Sequence, residues 1–223
     1  MMIRKTMRIE EAMKEKPAIA CLLEKEGVDF CCGGHQILEE ALGEKGIDVD
    51  SFIKKLNEME DTSEDLDWTS GIHMETEELI DFIVQRFHRK EEELLEEVDR
   101  YLRKILKVHY LRHGEELGEI YQTFLQLKGE LNLHFAKEEK EVFPHIKKDP
   151  KKIQELEDEH EEAGKLLQQL EELSQGFTTP DDVCATYELA YEKLHELVDD
   201  IHLHIFLENS VLFQREDIHE KAY

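Results

Sequence analysis

Histidine and glutamate recur four residues apart within apolar helical patterns, as His134 and Glu138 and again as His204 and Glu208. Residues four apart on an α-helix lie one above the other on the same face. An imidazole and a carboxylate held in this way are a ligand pair that a helix bundle offers to a transition metal. The spacing alone proves little, because 54 of the 223 residues are acidic. Whether each pair lies on the core face of its helix therefore distinguishes a ligand pair from a chance spacing.

Each of these histidines stands where leucine is expected in an apolar stripe with the period of a bundle helix. Stripes of the same kind contain His88 and His160, so four predicted helices each place one histidine toward the core. The apolar residues that define the two longest stripes are Leu117, Ile120, Phe124, Leu127 and Leu131 before His134, and Tyr187, Ala190, Leu194, Leu197 and Ile201 before His204.

Six polar side chains on core stripes need a common partner, because a buried polar group without one costs ~1–3 kcal/mol. A metal ion bound between the helices would supply it. The alternative is a hydrogen-bonded network of buried histidine and glutamate without a cation. The six candidate ligands are His88, His134, Glu138, His160, His204 and Glu208.

Position along the helices separates these histidines from the others. If the first two bundle helices turn near His113-Gly114, His88 and His134 lie at similar heights in an antiparallel pair. On a continuous helix His109 would lie ~31 Å from His88, so it belongs near the turn. The remaining histidines are interpreted as surface, capping or turn residues: His35, His73, His113, His145, His195, His202 and His219.

Composition indicates an all-α protein and excludes some partners. The formal net charge is −26, which repels nucleic acid and anionic membranes, so neither is expected as a partner. Few proline and glycine residues and an apolar period near 3.6 predict helices nearly throughout. No segment resembles a signal peptide or reaches ~18 consecutive apolar residues, so we expect a cytoplasmic protein.

The chain divides into three predicted regions: a small helical domain at residues 1–60, a linker at 61–73, and a four-helix up-and-down bundle at 74–223. The linker is predicted because this stretch lacks periodicity. About 60 residues bury only a marginal core. We therefore expect the small domain to rest on the bundle or on a second protomer, which makes a homodimer one expected assembly.

Two adjacent cysteines, Cys31 and Cys32, precede a predicted helix and are followed by two glycines. A helix N-terminus favours the thiolate, so we predict accessible thiols of lowered pKa with a redox or metal-handling role. The alternative is that one thiol belongs to the core and the other is incidental. Cys21 and Cys184 are predicted to be buried structural thiols.

Both regions resemble one family, the repair-of-iron-centres proteins, which are di-iron proteins with a haemerythrin-like bundle. The resemblance runs nearly from end to end of the chain. It departs at His35, where relatives often have lysine, and after His88, where relatives can show a second nearby histidine. The blocks that support it are Pro17-Ala18, Gly27-Val28-Asp29-Phe30-Cys31-Cys32-Gly33-Gly34, Leu38-Glu39-Glu40-Ala41, Phe87-His88, Val142-Phe143-Pro144 and residues 134–139, 159–164 and 204–209.

The resemblance implies a cofactor of two iron ions in an oxo- or hydroxo-bridged and carboxylate-bridged centre. By that resemblance His88, His134, His160 and His204 bind the irons, and Glu138 and Glu208 bridge them. Glu130 lies one helical turn before His134, and Glu159 directly precedes His160. Both are predicted to orient a ligand, relay protons or bind departing iron. A solvated surface charge is the alternative for both.

The resemblance also implies a function: repair of iron–sulfur clusters damaged by oxidative or nitrosative stress, through iron donation, nitric oxide reduction or both. Damaged or apo iron–sulfur proteins are the expected partners, and nitric oxide or oxygen the expected small ligand. Whether the chain is an enzyme depends on nitric oxide reduction and stays open at this point. The alternative function is a haemerythrin-like protein that binds or senses oxygen or nitric oxide.

Overall fold

The structure is a computed structural model, and it describes residues 2–60, 66–146, 150–215 and 218. Its described residues form helices and an isolated bridge between Arg8 and Ile37, which confirms the all-α prediction. No helix within these ranges is long and apolar enough to cross a bilayer. The α-helices are α1 (Ile9–Glu15), α2 (Ala20–Lys25), α3 (Leu38–Glu44), α4 (Val49–Glu58), α5 (Thr76–Ile83), α6 (Arg89–Lys137), α7 (Pro150–Leu173) and α8 (Ala185–Phe206).

Contacts group the chain into two compact units, residues 1–82 with 203–216 and residues 83–202 with 217–223. The boundaries between these units fall within the residue ranges of α5 and α8. The division into residues 1–60, 61–73 and 74–223 stays a prediction, and residues 61–65 of the predicted linker lie outside the described residues.

In the second unit, α6 reverses the chain at His113, whose φ of −123° and ψ of 15° are not helical. Its two halves lie antiparallel, because Nδ1 of His88 is 3.0 Å from Oε1 of Glu139, a residue 51 positions later. The hydroxyl of Tyr121 donates to Asp99 across the same pair at 2.8 Å. The turn thus falls where the sequence predicts it.

Buried apolar residues on the facing sides hold these helices together. The stripe before His134 is almost fully buried, with Leu117 at 1%, Phe124 at 0% and Leu131 at 4% exposure. Each such side chain contributes about 1.5–3 kcal/mol when it leaves water. Helix α7 adjoins the second half of α6, and residues 185–202 of α8 adjoin the first half, where Lys90 pairs with Asp200 at 2.8 Å.

In the first unit, the stretch that lacks periodicity contains a 3-10 helix, Asp67–His73. Trp68 is buried there, and its ring centre lies 5.8 Å from that of Phe206 in an edge-on arrangement. Phe30 approaches the same ring at 6.3 Å. A 3-10 helix anchored by a single aromatic side chain has no repeating apolar stripe, so periodicity does not reveal it.

Candidate metal centre

Three π-helical segments interrupt the long helices at the predicted ligands. They are Val84–His88, Glu138–Val142 and Leu207–Leu212. The first ends on His88, the second begins with Glu138, and the third contains Glu208. Single π turns occur frequently at functional sites, because the extra residue changes the direction in which later side chains point. Local backbone structure therefore marks the same positions as the stripe pattern.

Within the second unit, Glu138 faces a different histidine with each of its carboxylate oxygens. Its Oε2 lies 3.3 Å from Nε2 of His88, and its Oε1 lies 3.4 Å from Nε2 of His134. Glu138 and His88 are both 0% exposed. A carboxylate placed in this way has one oxygen available for each of two cations.

His160 comes from α7 and joins the His134 side of this arrangement. The Nε2 atoms of His160 and His134 are 3.0 Å apart. Two nitrogens bound at about 2.1 Å on adjacent positions of one cation lie about 3.0 Å apart. The ligand atoms of His134, Glu138 and His160 all lie within 4.8 Å of one another. These residues form a buried His/Glu cluster that could hold a metal ion.

Two further carboxylates contact the opposite nitrogens of these imidazole rings. Oε2 of Glu159 lies 2.7 Å from Nδ1 of His134, and Oε1 of Glu139 lies 3.0 Å from Nδ1 of His88. A carboxylate at Nδ1 accepts a hydrogen bond from the Nδ1–H group and so keeps the ring proton on that nitrogen. The lone pair of Nε2 is then available to bind a metal. Both histidines thus present Nε2 to Glu138, as metal ligation requires.

These two carboxylates are ionised because cations and imidazoles donate hydrogen bonds to them. The hydrogen bond from His134, with another from Lys137, lowers the pKa of Glu159 to about 2, against the opposing effect of partial burial. Partial burial also opposes ionisation of Glu139, but hydrogen bonds from Arg89 and His88 outweigh it and lower the pKa of that carboxyl. Sequence reasoning missed Glu139, although it adjoins Glu138.

Glu130 does not reach this cluster. Its side chain is exposed and accepts a hydrogen bond at 3.0 Å from Gln126 on the same helix. The prediction of a role beside the ligands is therefore wrong for Glu130. It lies one turn before His134, but the stripe that faces the core passes through Leu127 and Leu131, and Glu130 falls on its flank.

In the first unit, His204 and Glu208 form a buried pair of their own. Nε2 of His204 lies 3.3 Å from Oε1 of Glu208, with 2% and 0% exposure of the two residues. His204 belongs to the last turn of α8, and Glu208 lies in the π-helical segment that follows. The pair repeats the arrangement of His134 and Glu138 on α6.

The other described histidines differ from these four in burial. His88, His134, His160 and His204 are buried. His109 is partly exposed, with Nε2 3.3 Å from Sγ of Cys184, near the turn at His113 as predicted. His219 lies outside the described residues. Those that are partly or fully exposed are His35, His73, His113, His145, His195 and His202.

The loop with the two adjacent cysteines corrects one prediction. Cys31 is buried, and Cys32 is partly exposed. The hydrogen bond with Cys32, burial and the charge of Asp29 raise the pKa of the Cys31 thiol well above its ordinary value. The prediction of an accessible thiol of lowered pKa is therefore wrong for Cys31. The helix that follows is a 3-10 helix of only three residues, Gly33–His35, so its dipole is too small to favour the thiolate. Sequence reasoning also overlooked the neighbouring charge of Asp29, which favours the protonated thiol.

The predictions for the other two cysteines are also wrong, since both are exposed. Cys21 lies on the outer side of α2, where its thiol donates to the carbonyl of Ala18 at 3.2 Å. Cys184 directly precedes α8. Hydrogen bonds from His109 and from the backbone N–H of Tyr187 lower the pKa of the Cys184 thiol to about 7.

The donor atoms of the second-unit cluster fit iron. Three imidazoles and one carboxylate converge in a buried space, and imidazole with carboxylate suits iron in either oxidation state. The ring of Phe135 stacks on His88 with centres 4.5 Å apart, which limits water on that side. The charges of Arg89 and Lys137 are engaged with Glu139 and Glu159 at 2.6 and 2.8 Å, outside the cluster.

Comparisons with known proteins match both regions of the chain. The family model described as Hemerythrin HHE cation binding domain matches residues 79–215, and the model ScdA_N, described as a domain of unknown function, matches residues 6–60. The protein named iron-sulfur cluster repair protein YtfE from Enterobacter sp. (strain 638) is 35% identical over 204 residues, which are 89% of this chain and 91% of that protein. Proteins of the same name from Escherichia coli (strain SMS-3-5 / SECEC) and Escherichia fergusonii are 34% identical with the same coverage.

Proposed function

This chain belongs to the family that contains the hemerythrin HHE cation binding domain and the iron-sulfur cluster repair proteins, and we propose that it is a di-iron protein that repairs iron–sulfur clusters damaged by oxidative or nitrosative stress. The main support is the position of Glu138, whose two oxygens face His88 and His134 at 3.3 and 3.4 Å. With one oxygen facing each histidine, this carboxylate could bridge two cations, each also held by one of the two imidazoles.

We propose that His204 and Glu208 complete the centre, as a fourth imidazole and a second bridging carboxylate. The proposal is supported by their burial and by the same i,i+4 arrangement as in His134 and Glu138. The matched family domain, residues 79–215, includes all six ligands. Four imidazoles and two carboxylates leave each iron short of six ligands.

The proposed ligands and the carboxylates beside them suit reversible binding of iron. Glu139 and Glu159 hold protons at Nδ1 of His88 and His134, so both rings bind through neutral Nε2. Such ligands have no thiolate that would favour zinc over iron. Bound iron supplies a redox-active position for nitric oxide or oxygen. The iron delivered to a damaged cluster is the protein's cargo, and a damaged or apo iron–sulfur protein is its partner.

Metal analysis provides the first test. After anaerobic loading with ferrous iron and desalting, which removes exchangeable surface iron, we expect about two irons per chain, with ferric absorption after exposure to air. A single zinc per chain without ferric absorption would overturn the di-iron proposal.

Iron transfer to an apo iron–sulfur protein tests the repair function itself. The loaded protein is mixed with an apo ferredoxin, sulfide and a thiol reductant, and cluster formation is followed by absorption. We expect the cluster to form at the expense of the protein's iron. Reversible binding of oxygen or nitric oxide with no transfer of iron would instead support a haemerythrin-like carrier or sensor.

We further propose that the protein works in the cytoplasm. None of the four cysteines, all of which the structure describes, forms a disulfide. Free thiols persist in reducing compartments, whereas oxidising ones favour disulfides. Fractionation of the native cells with an antibody against the chain tests this location.

A further inference from the structure

The carboxylate of Asp29 is fixed beside the two adjacent thiols. Its Oδ1 accepts hydrogen bonds from the backbone N–H groups of Cys31 and Cys32 at 3.0 and 2.9 Å. The same oxygen lies 3.3 Å from Sγ of Cys31. This turn holds the carboxylate and the thiols on one side of the loop before any ligand arrives.

The two sulfur atoms have the separation that one metal ion requires. Sγ of Cys31 and Sγ of Cys32 lie 3.8 Å apart. Two thiolates bound at about 2.3 Å to one tetrahedral cation are about 3.8 Å apart. One ligand atom from each of Asp29, Cys31 and Cys32 lies within 4.8 Å of the others.

Glycine at the next two positions leaves room for close approaches of neighbouring side chains on this side of the loop. A Cβ added at Gly33 would lie 3.3 Å from Oδ2 of Asp29, so a side chain there would crowd the carboxylate oxygen that the backbone N–H groups leave available. A Cβ added at Gly34 would lie 2.8 Å from Oγ of Ser210. Both glycines thus permit approaches that other residues would obstruct.

We propose that Asp29, Cys31 and Cys32 form a second metal site, which binds one thiophilic divalent cation such as Fe²⁺ through two thiolates and a carboxylate. Binding releases the two thiol protons to solvent. Asp29 is exposed and Cys32 partly exposed, so the fourth position of a tetrahedral cation faces water or an incoming ligand. An open position of this kind suits exchange of the cation rather than permanent storage.

The loop also contacts the segment that follows the His204–Glu208 pair in the same unit. Nδ2 of Asn209 donates to the carbonyl oxygen of Cys31 at 3.3 Å. Asn209 directly follows Glu208. A role for the second site in passing iron to a client rests on the proposed function, whereas its ability to bind a cation does not.

Cobalt(II) serves as the probe, because thiolate-bound cobalt has an intense near-ultraviolet charge-transfer band that histidine- and carboxylate-bound cobalt lacks. The reduced full-length protein is titrated anaerobically. We expect the band to saturate at one cobalt per chain and to disappear in Cys31→Ser and Cys32→Ser. In Asp29→Asn the amide oxygen still accepts the backbone hydrogen bonds, and cobalt affinity should fall by about tenfold or more.

Matched controls are Cys21→Ser and Cys184→Ser, which remove exposed thiols elsewhere and should leave the band unchanged. Circular dichroism of each variant establishes that its helices are intact. The proposal is overturned if the wild-type protein gives no band, if the band survives in Cys31→Ser or Cys32→Ser, or if Cys184→Ser abolishes it.

The same titration separates this site from the di-iron centre. Weak visible bands of cobalt bound by histidine and carboxylate report the buried cluster independently. If the wild-type protein shows the thiolate band but lacks the visible bands, the proposed function is contradicted and the second site is supported. If it shows the visible bands but lacks the thiolate band, only the second site is contradicted.

Discussion

Oε2 of Glu159 lies 2.7 Å from Nδ1 of His134, and Glu139 has the same relationship to His88 at 3.0 Å. Each carboxylate comes from outside the proposed ligand set and fixes which ring nitrogen points to Glu138. We therefore expect Glu139→Gln and Glu159→Gln each to lower iron affinity by about 10–100-fold. Competition with a calibrated chelator measures this, and Glu130→Gln, which changes an exposed glutamate on α6, is the matched control.

The two carboxylates proposed as bridges give a second prediction. Glu138→Gln and Glu208→Gln preserve shape but remove the negative charge that would offset two cations, so each should lower iron affinity by more than about tenfold. Metal analysis after equal loading detects the loss. His109→Ala and His202→Ala should retain wild-type iron, because neither histidine is buried with the cluster. A centre emptied by His109→Ala would contradict the helix geometry.

Metal binding should stabilise the fold. Without a cation, the protein buries four imidazoles and two carboxylates, and a ligand that binds only the native state raises the free energy of unfolding. At free iron about 100 times the dissociation constant, the gain is about 2.7 kcal/mol, or about 5–10 °C in Tm for a chain of this size. Thermal unfolding of apo and loaded protein measures it. Equal melting temperatures would favour a buried hydrogen-bonded network without metal.

Cys184 provides a prediction about pH. Its pKa is lowered from 9.0 to about 7, chiefly by the hydrogen bond with His109. The thiolate, which is the reactive form, should therefore dominate above about pH 7 instead of above pH 9. Alkylation of Cys184, followed by mass spectrometry of the peptide, should accelerate with a midpoint near pH 7. In His109→Ala the midpoint should move upward, and an unchanged midpoint would remove His109 as the cause.

Periodicity along the chain was sufficient to predict the long α-helices and the burial of the candidate ligands, but not the 3-10 helix Asp67–His73. These features depend on which face of a helix is apolar, and that face is a local property of residues three and four apart. His134 and Glu138 follow Leu127 and Leu131 on one stripe, so their burial follows from the sequence. The assignment of iron came from resemblance to a family, because the same donors bind several transition metals.

Only the tertiary structure decided which residues of different helices meet. The contact of Glu159 with His134 joins α7 to α6, and that of Glu139 with His88 joins the two halves of α6. Such contacts depend on the rotation and register of each helix. The π turns at Glu138 and Glu208 change both, and a regular period of 3.6 residues does not predict that change. The burial of Cys31 and the pairing of Cys184 with His109 have the same origin. Each is determined by a neighbour distant in sequence or by a turn whose geometry the pattern does not specify.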